Sequence, residues 1–248
     1  MSSSKKRQAE AAPQAEKPKK AKKRKANAPD DDSLDVELGV NLLFTRMDNQ
    51  LLADHLAQKL TRFGTELSPI EISDLTMSAN SIQDTTSWQE SRTLDRIPDF
   101  LERFSRGAEE LMKASKRKGA PHTIIVAGAG MRAADITRVV RKFSSKQSTV
   151  GKLFAKHMKV DEQVEFLKKH SIGIGIGTPA RLIELIKNGA LSLENLRRVV
   201  VDASHIDQKK RGVMDMKDTM LPLARFLSLE EFKSGYVDET KPLSLLFY

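Results

Sequence analysis

The sequence predicts an α/β domain in which a parallel sheet is covered by helices on both faces, preceded by a disordered basic tail. Three observations carry this expectation. Short apolar runs alternate with amphipathic segments of about ten residues from Thr123 to Phe247, the order in which strand and crossover helix succeed one another around a parallel sheet. The runs are apolar on successive residues, as in Thr123-Ile124-Ile125-Val126-Ala127 and Val199-Val200-Val201, and strands buried on both faces need that pattern. Residues 1–35 consist of Lys, Ala, Pro, Ser and Asp with almost no large apolar side chains, so burial cannot offset their ordering entropy.

Each element has its own signal. Leu51, Leu52, Leu56 and Leu60 recur at helical spacing and predict a helix from Asn49 to Phe63, with Asp48 as a candidate N-cap. Gly64 to Arg92 is polar and reads as loops around one short helix. Pro98 suits the first turn of a helix reaching about Ser115. Thr123 to Ala127 is then a buried strand, Gly128-Ala129-Gly130 a tight turn, and Met131 to Phe143 a helix. A strand from Thr149 to Phe154, a helix from Asp161 to Lys169, a strand from Ser171 to Ile176, a helix from Pro179 to Asn188 and a strand from Val199 to Val201 follow. A helix around Met214 to Phe226 and a strand from Leu243 to Phe247 complete the pattern. The chain thus divides into a tail (1–35), a helical and loop appendage (36–97) and the α/β body (98–248).

Charge is distributed unevenly. Of the net +9 carried by 248 residues, residues 1–28 hold ten Lys or Arg against two Glu. Residues 29–102 hold fifteen acidic and five basic groups, whereas residues 132–159 hold eight basic groups against Asp135 alone. The cluster Lys19, Lys20, Lys22, Lys23, Arg24 and Lys25 suits a nuclear or nucleolar address; a solubilising tail is the plainer alternative. The internal basic block has the character of a phosphate footprint, against the alternative of a solvated face. There is no cysteine, which excludes a disulfide framework or thiolate zinc site and accords with an intracellular setting. No secretory leader pattern and no apolar run of about 20 residues is present, so a soluble chain without a membrane partner is expected.

The chemistry-bearing motifs lie where strands end. Thr178-Pro179-Ala180-Arg181 follows the glycine-rich run Ile172 to Gly177 and opens a helix, placing a hydroxyl and free backbone N–H groups where phosphate is favoured. About twenty residues on, Val199-Val200-Val201 ends at Asp202-Ala203-Ser204-His205. This order resembles the T-P-G-R motif and following D-E-A-D strand of DEAD-box RNA helicases. In that family the first element grips the RNA backbone, and the second holds magnesium and activates water. Gly128 to Asp135 stands where the family has P-T-R-E-L-A, with Arg132 keeping the arginine. Lys156-His157 falls where a paired glycine approaches RNA, and Leu243 to Phe247 where S-A-T begins. The resemblance implies a single RecA-like domain.

The departures define the expected function. Alanine replaces the general base after Asp202, and no G-x-x-x-x-G-K-S/T loop exists. Glu90-Ser91-Arg92, where that loop belongs, has neither glycine nor lysine. A second RecA-like domain with its arginine finger is also missing from the sequence. ATPase and helicase activity are therefore not expected, and neither is a cofactor, a metal or a small-molecule substrate. Asp202 reads as the remnant of a nucleotide site in a structural role. The basic tail, the acidic stretch and Gly151 to Lys159 followed by Gly177 to Arg181 are similar to the Cms-one family of helicase-like factors of the early small-subunit pre-ribosome. That resemblance implies a nuclear, nucleolar factor with pre-ribosomal RNA or small nucleolar RNA and processome proteins as partners. Gly130, Arg132, Lys156, His157, Thr178, Pro179 and Arg181 are the candidate RNA contacts, at the strand ends where open α/β sheets place their ligands.

Two alternatives stand beside this reading. The domain could be a protein-docking platform without direct RNA contact. Gly128-Ala129-Gly130-Met131-Arg132-Ala133 also fits the dinucleotide fingerprint G-x-G-x-x-G/A, but the acidic residue needed about twenty positions later is absent between Ser144 and Lys152. His157 alone is no metal-ligand signal.

Overall fold

The structure is a computed structural model that describes residues 33–155 and 158–248. A short antiparallel pair, β1 (Leu34–Asp35) and β2 (Val40–Asn41), leads through a 3-10 turn to α1 (Asn49–Phe63). Asp48 caps α1 as its sequence predicts, the carboxylate accepting from the Leu51 N–H. The polar stretch contains α2 (Pro69–Leu75), started by a reciprocal Ser68–Glu71 capping box. The helix expected from Pro98 to Ser115 is instead two pieces, α3 (Ile97–Arg103) and α4 (Ala108–Met112). Gly107 between them has φ of 92°, which a right-handed helix cannot contain.

The alternating part comprises β3 (Thr123–Val126), α5 (Gly130–Val140), β4 (Thr149–Leu153), α6 (Val160–Lys169), β5 (Ile172–Gly177), α7 (Pro179–Lys187), β6 (Arg198–Val201), α8 (Lys217–Leu227), α9 (Glu230–Tyr236) and β7 (Ser244–Phe247). These match the expected segments to within a few residues. Neither α9 nor, upstream, the β1–β2 pair, whose strands are only two residues each, was expected from the sequence.

Strands β3 to β7 form one parallel sheet in the order β4-β5-β3-β6-β7. Alternate residues feed two cores. Ile124, Val126, Val199, Val201, Leu245 and Phe247 face α1, α7 and α8 through Leu52, Leu56, Leu182, Leu185, Leu223 and Phe226. Ile125, Ile174, Ile176, Val200 and Leu246 face α3, α4 and α5 through Phe100, Leu111 and Ile136. Helices therefore cover both faces, and α1 shares the core of the body although it lies far upstream. In β5 (Ile172-Gly-Ile-Gly-Ile-Gly177) Gly175 and Gly177 fall on the first face, opposite Ile174 and Ile176 on the second. A Cβ at Gly177 would run into the Leu153 carbonyl oxygen and the Leu182 side chain, so its absence lets α7 settle close to the sheet just where the Thr178 motif begins.

Candidate functional site

A parallel sheet collects the C-terminal ends of its strands along one rim. Because β3 and β5 are neighbours, the starts of α5 and α7 stand side by side, with the Ala127 N–H donating to the Gly177 carbonyl at 2.9 Å. Gly130 is the first residue of α5, and Thr178 is the N-cap of α7 with Pro179 behind it. Neither N-terminus is capped by a side chain. Thr178 is half-buried and Pro179 buried. The structure thus brings Gly130, Thr178 and Pro179 together, with two sets of helix-initial N–H groups beside them.

The arginines of the motifs are turned to other tasks. Arg132, in the first turn of α5, donates from Nε and Nη2 to both Asp202 carboxylate oxygens, at 2.8 and 2.9 Å. The two side chains are only 10% and 2% exposed. Burial works against the Arg132 charge, but the attraction and hydrogen bonds of Asp202 outweigh it and hold the guanidinium above its ordinary pKa. This planar two-bond fork ties the head of α5 to the end of β6, where the Asp202 N–H also donates to the Val126 carbonyl at 2.9 Å.

Arg181 is likewise engaged. Its Nη1 donates to Gln163 Oε1 at 2.7 Å and to the Met158 carbonyl at 3.1 Å, and its Nε lies 3.1 Å from Glu184. Gln163, fully buried on α6, passes the restraint on, because its Nε2 donates to the Lys152 and Phe154 carbonyls, each at 2.9 Å. These carbonyls belong to the outer strand of the sheet, whose open edge would otherwise present unpaired groups. Lys156 and His157 lie outside the described residues, as does the cluster Lys19 to Lys25.

Where a phosphate-binding loop belongs, the chain buries Arg92. Its Nη1 donates to the Phe247 carbonyl at 2.6 Å and its Nη2 to Thr85 Oγ1 at 3.0 Å. The guanidinium sits 5.9 Å from the Phe100 ring centroid, and burial pulls its pKa down to about 10. Beside it the Tyr248 hydroxyl donates to the Thr93 carbonyl at 2.6 Å, and burial drives that phenol above its usual range. The end of β7 is therefore stitched to the segment from Thr85 to Thr93. Among the described residues no group of His, Asp and Glu could hold a metal ion, and no helix is long and apolar enough to cross a membrane.

The basic block of residues 132–159 is divided in the same way. Arg138 pairs with Asp135, and Lys142 with Glu102 and Asp99 at 2.8 and 3.7 Å. Arg141 and Lys152 have no carboxylate partner among the described residues, and both line a cavity of ≈ 490 Å³ between α5 and β4. Sequence reasoning did not single out Gln163, and it noted Arg92 only as part of a missing loop. A buried polar residue that braces backbone carbonyls has no local signature.

Comparisons with known proteins place the chain. It is 59% identical over 234 residues to Protein CMS1 of Chaetomium thermophilum, spanning 94% of this chain and 93% of that one. It is 27% identical over 177 residues to Protein cms1 of Schizosaccharomyces pombe, covering 71% of this chain and 62% of the relative. Among solved structures, a DEAD box protein from the hyperthermophile Methanococcus jannaschii matches 52% of this chain and 31% of its own, with 20% identity and a TM-score of 0.35. A family model described as CMS1, U3-containing 90S pre-ribosomal complex subunit, matches residues 1–248, and the chain belongs to that family.

Proposed function

We propose that this chain is a non-catalytic, helicase-like subunit of the early small-subunit pre-ribosome that binds pre-ribosomal or small nucleolar RNA beside processome proteins in the nucleolus. One observation carries the reading, the buried Arg132–Asp202 fork. In the helicases that the motif order resembles, the aspartate of this strand holds magnesium and its neighbour activates water. Here both Asp202 oxygens are occupied by Arg132, and Ala203 has no basic atom to take a proton. Arg92 braces the last strand instead of leaving backbone N–H groups to cradle phosphates. The family description supports the pre-ribosomal setting.

The RNA part of the reading rests on the uncapped starts of α5 and α7 at Gly130 and Thr178 and on the unpaired charges of Arg141 and Lys152. Arg132 and Arg181 enter it as residues that position these elements. A protein-docking role is the second reading, and the inward commitment of those two arginines favours it. Crosslinking the tagged full-length chain in cells and sequencing the bound RNA separates the two. Enrichment of pre-ribosomal or small nucleolar RNA over a tag-only control is expected; crosslinks at background would leave the docking role. In parallel, an ATP turnover of about 0.1 per second or more, abolished by Asp202→Ala, would overturn the non-catalytic assignment, since enzymes ordinarily run at roughly 1–1000 per second.

A further inference from the structure

Strand β4 is an outer strand of the sheet, and two cavities flank it that meet at Thr149. The first, ≈ 520 Å³, lies at the N-terminal end of the strand, opposite the rim that carries the helicase-like motifs. Lys116, Lys118, Lys146 and Lys169 line it, and no acidic residue among the described residues does. They come from three distant stretches, the loop before β3, the turn before β4 and the last turn of α6, so the fold gathers charge that no single run displays. Lys116, Lys118 and Lys146 join no ion pair among the described residues. Their neighbour Arg117 pairs with Glu194, and Lys169 lies 3.2 Å from Glu165. The second cavity is the one that holds Arg141 and Lys152.

A stacked aromatic pair joins the two. Phe166 lines the second cavity and His170 the first. Their ring centroids are 4.4 Å apart and their planes within 19° of parallel. His170 Nδ1 is fixed 2.9 Å from the Phe166 carbonyl oxygen, and the residue is exposed. Lysines that track a charged backbone, interrupted by a fixed aromatic face, are the two parts of a groove for single-stranded nucleic acid. An acidic peptide would use the lysines but has no need of the ring, and an RNA duplex hides its base faces.

We infer that the β4 edge is a single-stranded RNA track, in which Lys116, Lys118 and Lys146 neutralise phosphates, the His170–Phe166 pair receives an unstacked base, and Arg141 and Lys152 continue the path. This inference rests on the RNA-binding reading above and adds the place, the outer strand of the sheet, beginning at the end away from Thr178.

Fluorescence anisotropy of the full-length chain with an oligouridylate of about 16 nucleotides, across a salt series, tests it. The basic tail contributes equally to every variant, so differences between variants report on the body. The triple variant Lys116→Ala, Lys118→Ala, Lys146→Ala flattens the plot of log affinity against log salt by about 2, since each lost phosphate contact removes roughly 0.7. His170→Ala weakens binding roughly tenfold at fixed salt with the slope preserved, and His170→Phe, which keeps a stacking face, restores it. Melting temperatures equal to the parent confirm that the folds are intact. If the parent binds and neither the triple variant nor His170→Ala differs from it, the track is refuted while the RNA-binding reading stands. If the lysines matter and His170 does not, the edge is a general polyanion surface and the track is also refuted. A parent chain that fails to bind the oligouridylate overturns both.

Discussion

Arg132 and Lys152 belong to the same basic stretch of sequence, yet the fold sends them to opposite fates. Arg132 lies at the rim where β3, β5 and β6 end, buried against Asp202 and bonded through both nitrogens of its fork. Lys152 stands exposed near the end of the outer strand, without a carboxylate partner among the described residues, and lines the same cavity as Arg141. The rim as a whole follows the first pattern, since Arg181 and Arg92 also bind within the molecule. The β4 edge follows the second, with Lys116, Lys118 and Lys146 around its N-terminal cavity in no ion pair among the described residues. Motif residues resembling a helicase have thus become braces, and charge available to a partner has collected where no motif lies. Position in a motif is a poor guide to exposure, because burial is decided by which elements pack against the residue.

If that contrast is right, breaking the rim should cost stability. Arg132→Ala should destabilise the fold by about 3–5 kcal/mol, because Asp202 would be left charged and buried without a partner. Replacing both members by apolar residues of similar size should recover most of the loss. Urea unfolding measures both, and a single-variant loss below about 1 kcal/mol would place Arg132 at the surface after all.

Acid should find the next weak point. His122 is buried at the start of β3, with Nε2 3.2 Å from the Leu111 carbonyl and Nδ1 2.8 Å from Thr123 Oγ1. Burial, reinforced by the Arg198 charge, depresses its pKa to about 4. A depressed histidine binds its proton more readily when unfolded. The stabilisation from His122 is therefore complete above pH ~6.5 and is lost progressively as pH falls towards about 4, by roughly 3 kcal/mol. His55, also lowered to about 4 by burial, adds in the same direction. Unfolding midpoints followed from pH 7 to about 4.5 should fall, and less steeply in His122→Asn; superimposable profiles would contradict the assignment.

Gly177→Ala probes the close approach of α7 to the sheet at the rim. The added methyl meets backbone, the Leu153 carbonyl oxygen, as well as Leu182, so a loss of about 1–3 kcal/mol is expected from overpacking. Thermal melts would detect it, and an unchanged melting temperature would mean that α7 can shift outward freely. Smallest of all should be the effect on stability of neutralising the edge. The triple alanine variant of Lys116, Lys118 and Lys146 should stay within about 0.5 kcal/mol of the parent, and a larger loss would show these lysines to be structural like the arginines of the rim.

Much of the architecture was legible in advance because its causes are local. Asp48 and the leucines of α1 declare a capped amphipathic helix, and Thr123 to Val126 can bury every residue only inside a sheet. The split at Gly107 was missed because the periodicity continues across it, and one residue with positive φ decides the matter. That Gly130, Thr178 and Asp202 stand at the C-terminal ends of strands followed from the succession of strands and helices. What the arginines do there was not legible, since Arg132 and Asp202 are seventy residues apart. Nor was the N-terminal cavity of β4, whose lysines come from separate stretches, the run Lys116 to Lys118, Lys146 and Lys169, that only the fold brings together.

The sequence by itself determined the class of fold, the order of its elements and the fact that no G-x-x-x-x-G-K-S/T run is present and alanine follows Asp202, because hydrophobic periodicity, capping and the identity of a side chain are properties of neighbouring residues. Tertiary structure alone decided which charges are paired and which are free. That outcome depends on strand order and helix placement, which bring Asp202 to Arg132 and Gln163 to Arg181 while leaving Lys116, Lys118 and Lys146 without a carboxylate among the described residues. A charge buried without a partner is too costly to keep, so the fold gives its buried charges a carboxylate, as for Arg132, or backbone and hydroxyl oxygens, as for Arg92, and leaves the remainder at the surface.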